Sequence, residues 1–144
     1  MSTTKEGAFF LTGRDFTNAG TASSELKGIL ESMHVQPDIV RRAAIAAFEA
    51  EMNLIIYAVA GMMNYSITPE KIKVVVSDMG PGIENIELAM TEGYSTAPDY
   101  IREMGFGSGM GLPNIKKNAD ELKINSVVGE GTTLEFVIYL NKAP

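Results

Sequence analysis

The sequence predicts an α/β (α+β) two-layer sandwich, a mostly antiparallel sheet with helices on one face. Three observations predict it. A long apolar stripe from Ile39 to Val59 recurs at three- and four-residue spacing, the period of a helix buried on one side. Short runs such as Ile72, Val74 and Val76 recur every second residue, the period of a strand buried on one face. The last two such runs are joined by Gly129-Glu-Gly131, a tight hairpin that pairs them antiparallel.

The elements follow in order. Residues 1–6 read as a loose tail, and Ala8–Phe16, with Phe9, Phe10 and Leu11, as a first strand. Thr17 or Asn18 can cap a helix running to about Met33, with Leu26, Ile29, Leu30 and Met33 as its stripe. Pro37 suits the first position of the next helix, which runs to about Ala60 and is ended by Gly61. Met62–Ile67 and Lys71–Ser77 read as strands, Ile83–Met90 as a short helix, and 91–105 as a long irregular segment. A helix follows from about Met110 to Asp120, then the strands Leu122–Val128 and Thr132–Leu140. No repeat or linker divides the chain, so a single domain over 1–144 is expected.

Composition narrows the function. The net charge is −6 with no basic cluster, which argues against nucleic acid or an anionic membrane as the main partner. There are no cysteines, which excludes thiolate catalysis and zinc–thiolate sites. The one histidine, His34, lies near a helix end and reads as structural or solvated. The Ala43–Met63 tract is interrupted by Glu49, Glu51 and Asn53, which argues against a membrane span. With no secretory signal visible, a cytoplasmic location is expected.

Chemistry concentrates in a few places. Glu49 and Asn53 lie four apart and share a helix face. An amide oxygen can ligate Mg²⁺ beside phosphates, and a carboxylate one turn away can act as a base. The same spacing also suits a solvated helix face. Glu51 points elsewhere and reads as a surface or salt-bridging residue. Asp78 closes a strand before Gly80 and Gly82, where a carboxylate can accept from an exocyclic amine such as that of adenine. Glycines at these two positions would leave room for a flat ring; a simple Asp turn is the alternative. Gly105, Gly107, Gly109 and Gly111 recur every second residue and lead into a helix, whose N-terminal N–H groups favour an anion such as a triphosphate. They match neither the P-loop nor the dinucleotide fingerprint. Ser95 and Thr96 add hydroxyls in the same loop, and Arg102 adds a cation toward a γ-phosphate.

Four motifs then occur in order: Glu49-x-x-x-Asn53, Asp78-x-Gly80-x-Gly82, Gly107-x-Gly109-x-Gly111-Leu112, and Gly129-x-Gly131-Thr132. This resembles the nucleotide-binding boxes of the GHKL (Bergerat-fold) ATPases, the superfamily of gyrase, histidine kinases and mismatch-repair ATPases. The resemblance covers roughly residues 20–140. Gly93-Tyr-Ser-Thr96 and Gly109-Met-Gly-Leu-Pro-Asn114 look most like the anti-sigma-factor serine/threonine kinases, with their histidine-kinase-like ATPase domain. The resemblance implies ATP and Mg²⁺ as cofactors. It implies Glu49 as general base toward a serine or threonine hydroxyl, Asn53 on Mg²⁺, and Asp78 on the adenine amine. Gly80 and Gly82 would floor the base pocket and Thr132 would support it. Gly107, Gly109 and Gly111, with Met110 and Leu112 beside them, would wrap the phosphates. Tyr57 stands where related sequences often carry histidine.

The implied partners are a small antagonist protein, a sigma factor and a second copy in a homodimer. The expected function is therefore phosphorylation of that antagonist. Two alternatives remain open: an ATP-dependent switch that grips a partner without phosphotransfer, and a detached histidine-kinase ATPase domain.

Overall fold

The computed structural model describes residues 4–93, 95–97 and 110–140. Its first strand, β1 (Lys5–Thr12), pairs with β2 (Ala60–Ile67) from Lys5↔Ile67 to Thr12↔Ala60. Lys5 and Glu6, expected in a loose tail, thus belong to the sheet. The strand expected to reach Phe16 stops at Thr12. Beyond it the backbone bonds elsewhere: Gly13 donates to the Val59 carbonyl and Arg14, at φ +65, to that of Ile55.

The helix start expected at Thr17 or Asn18 is also corrected. Phe16–Asn18 forms a short 3-10 turn, closed by the Asp15 carboxylate. α1 (Thr21–Ser32) begins later, after Gly20 at φ +93, with no cap from its own N-cap side chain. Its C-terminus is a Schellman turn: His34, at φ +61, donates to the Glu31 carbonyl and Val35 to that of Leu30. His34 is exposed there.

α2 (Pro37–Tyr57) starts on its proline but ends before Ala60. Ala58 is extended, and Val59 donates to the Met79 carbonyl, which draws the chain into the sheet. Gly61 is therefore no helix terminator; it lies in β2 opposite Asp78 of β3 (Lys71–Met79). α3 (Ile86–Ala89) is shorter than expected. The Asn85 side chain caps it by accepting from Leu88, while the Ile83 amide donates to the Ser126 hydroxyl. α4 (Gly111–Asn118) ends before Asp120, whose amide donates to the Val137 carbonyl. β4 (Glu121–Val127) and β5 (Gly131–Tyr139) form the expected hairpin.

The five strands run in the order β1-β2-β3-β5-β4, every neighbouring pair antiparallel. The register aligns Tyr65, Val74, Phe136 and Leu122 across β2, β3, β5 and β4. These side chains face Leu26 and Leu30 of α1 and Ala43, Ala47 and Leu54 of α2 in one apolar core. In the middle of the other face Lys73 pairs with Glu135 at 3.5 Å, beside Val75 and Val137. The architecture is α+β, an antiparallel sheet under helices. Among the described residues, no helix is long and apolar enough to cross a membrane.

Candidate functional site

A cavity of about 780 Å³ opens between α2, the end of β3, the α3 segment and the start of α4. That volume is typical of small-molecule sites. α2 contributes Glu49 and Asn53, one turn apart on the cavity wall, with Met52, Ile56 and Tyr57 beside them. They line it because the opposite stripe of α2, with Ala43, Ala47 and Leu54, is committed to the core.

Asp78 sits where β3 ends. Its Oδ1 accepts from the Thr132 amide at 3.1 Å, which leaves Oδ2 to accept from a ligand. Burial raises the Asp78 pKa above the ordinary carboxylate value, and the Thr132 bond offsets part of that rise. Thr132 is buried, and its hydroxyl meets that of Ser126 at 2.9 Å. Ser126 also accepts from Ile83 at 2.7 Å and donates to the Gly131 carbonyl at 3.2 Å. This hydroxyl pair ties the β4–β5 hairpin to the segment that follows β3.

Gly80 and Gly82 also pack closely against backbone. Gly80 lies outside the cavity lining. A Cβ there would come to 3.0 Å from the Ala58 Cα, so the position packs tightly against the end of α2. Gly82 lines the cavity but sits at φ +76, where a Cβ would lie 2.6 Å from the Val127 carbonyl oxygen. Both positions thus have a backbone-packing reason for glycine, and Gly82 also lines the cavity.

Ser95 and Thr96 line the cavity, and the Tyr57 hydroxyl is 3.3 Å from Ser95 Oγ. Tyr57 thus ties this loop to α2. Gly111 and Leu112 line the cavity at the start of α4, while Met110 does not. Arg102, Gly107 and Gly109 lie outside the described residues.

Sequence reasoning gave no role to several residues that line the cavity or hold the elements around it. Pro81, Ile83, Leu88 and Ala89 form apolar wall; Pro81 falls within the Asp78-x-Gly80-x-Gly82 motif, but none of the four was given a role. Asn114 donates its amide to Glu49 Oε2 at 2.6 Å, although it lies on a different helix. Glu51, expected on the surface, is 1% exposed. It accepts from the amides of Gly20, Ala22 and Ser23, so it caps α1. The arrangement as a whole offers an acceptor at one end, a helix N-terminus at another, and a carboxylate beside an amide between them.

Comparison with known proteins gives the family and the fold. Residues 14–138 match the histidine kinase-like ATPase domain. The chain is 33% identical over 103 residues to the serine/threonine-protein kinase RsbT of Bacillus subtilis, which covers 69% of this chain and 71% of that protein. It is 30% identical over 118 residues to an anti-sigma F factor of Anoxybacillus flavithermus, covering 82% and 74%. Its fold is similar to that of a mycobacterial sensor histidine kinase, MprB, with a TM-score of 0.54 and 18% identity over 94% of this chain and 97% of that one. The chain belongs to the histidine kinase-like ATPase domain family.

Proposed function

We propose that this protein is an ATP-dependent serine/threonine kinase of the anti-sigma-factor type, which phosphorylates a small antagonist protein. The observation that carries the proposal is the placing of Glu49 and Asn53 on the wall of the same cavity as Asp78. The named activities of the two relatives point the same way. In this account Asp78 accepts from the adenine amine. The open N-terminus of α4 at Gly111 attracts the phosphates.

Asn53 would hold Mg²⁺, which supplies charge neutralisation at the phosphates. Among the described residues no group of three His, Asp or Glu side chains could hold a metal. An ion here would therefore draw its remaining ligands from phosphate and water. Glu49 takes the proton from the incoming serine or threonine hydroxyl. That oxygen bonds to the γ-phosphorus as the bond from the γ-phosphorus to the bridging oxygen breaks, and ADP leaves. A cytoplasmic location, a sigma factor as second partner and a homodimer belong to the same proposal.

The test has two parts. ATP with Mg²⁺ at about a hundred times its dissociation constant should add about 2.7 kcal/mol of stability, several degrees in melting temperature. Incubation with labelled ATP and the protein encoded by the neighbouring gene should then label serine or threonine. A stable complex without label transfer would instead support a switch.

A further inference from the structure

The Glu49 carboxylate is held from another helix. Asn114 Nδ2 donates to Glu49 Oε2 at 2.6 Å, and the bond joins α4 to α2 across 65 positions of sequence. None of the nucleotide motifs gives Asn114 a role. Its backbone is well fixed. Leu112 and Ile115, on either side of it in α4, are buried in the core. The Asn114 carbonyl accepts from Asn118 Nδ2 at 2.8 Å. The Asn118 carbonyl in turn accepts from Arg42 Nε at 3.0 Å, and Arg42 also binds Asp120 Oδ1 at 3.1 Å. Arg42 precedes Glu49 on α2, while Asn118 follows Asn114 on α4, so the two helices run antiparallel with two polar ties between them.

A glutamate has three side-chain torsions and samples several rotamers when nothing holds it. A short hydrogen bond to an ionised oxygen is among the stronger ways to select one of them. We propose that Asn114 is a positioning residue for phosphotransfer: its amide holds Oε2 of Glu49, leaving Oε1 to take the proton of the accepting hydroxyl. The inference rests on the kinase function proposed above. It adds a dependence of the base on α4, the same helix whose N-terminus meets the cavity. The rigidity of the two helices then becomes part of the catalytic geometry.

The test is a double-mutant cycle read by label transfer and nucleotide affinity together. Asn114→Ala is expected to keep nucleotide affinity within about twofold and to slow transfer about tenfold or more, the scale of a misplaced catalytic group. Asn114→Asp keeps the shape but loses the donor, and it sets a second carboxylate against Glu49, so it should be at least as slow. In a Glu49→Gln background Asn114→Ala should slow transfer no further, because the carboxylate to be held is gone. Equal losses in both backgrounds would mean a merely structural role and overturn the assignment. So would an Asn114→Ala protein faster than wild type, or an Asn114→Asp protein at the wild-type rate. Absence of transfer by the wild-type protein would strike the kinase function itself and remove the assignment with it.

Discussion

Glu51 Oε1 accepts from the Ser23 amide at 3.0 Å, so a side chain from the middle of α2 closes the N-terminus of α1. Its other oxygen accepts from Gly20 at 3.0 Å and Ala22 at 3.3 Å. Helix starts carry unpaired N–H groups and the positive end of the dipole, and a carboxylate answers both. Glu51→Ala would leave buried donors without an acceptor. It is expected to cost about 2–4 kcal/mol, measured by denaturant unfolding. Glu51→Gln should cost less, because one oxygen remains.

Asp78 should oppose stability while it serves binding. Because burial raises its pKa, the stability it contributes is full below the ordinary carboxylate pKa and is lost as pH rises through the raised one. Asp78→Asn removes that loss and keeps an oxygen for the Thr132 amide. Melting curves of the nucleotide-free proteins across acid to neutral pH should show the mutant gaining on wild type as pH rises. Its affinity for ATP should fall by about 1.5–3 kcal/mol, roughly 10–100-fold, with relaxed preference over GTP. Unchanged affinity would confine Asp78 to shaping its turn.

Two glycines should part company. Gly82→Ala places a Cβ 2.6 Å from the Val127 oxygen at a positive φ, and is expected to destabilise by about 2 kcal/mol or more. At Gly111 a Cβ meets nothing within 4 Å among the described residues. Gly111→Ala should therefore leave the melting temperature unchanged or slightly higher, alanine being the better helix former. Any loss it shows in a nucleotide titration is then a loss at the phosphates.

Much of this was legible in the sequence, and the failures have a common cause. The stripe of α2 and the alternation of β3 fix those elements because burial on one side imposes a period. Among the described residues, each of the four motifs contributes to the cavity wall: Glu49 and Asn53 from within α2, Asp78 and Gly82 at and after the end of β3, Gly111 and Leu112 at the start of α4, and Thr132 near the start of β5. Boundaries were less legible: β1 reaches back to Lys5, and α2 stops at Tyr57, for hydrogen bonds to partners far away in sequence. Glu49 and Glu51 are indistinguishable by type and only two apart. What separates them is α1, whose amides surround one, and Asn114, which holds the other. At Gly80 and Gly82 the sequence could not show the close packing against Ala58 and Val127, which come from distant parts of the chain.

Asn53→Ala tests the metal assignment. It should lower nucleotide affinity in the presence of Mg²⁺ and change it little without the ion. The measurement is one ATP titration with magnesium and one with chelator. Equal losses in both would place Asn53 on the nucleotide itself.

The most direct measurement pairs nucleotide affinity with phosphate transfer in Glu49→Gln. The substitution keeps size and an oxygen for the Asn114 amide, but removes the base. ATP should bind as it does to wild type, while transfer to the antagonist's serine or threonine falls by on the order of 10²–10⁴. Transfer at the wild-type rate would contradict the catalytic role of Glu49 and, with it, the central claim that this cavity is a kinase site.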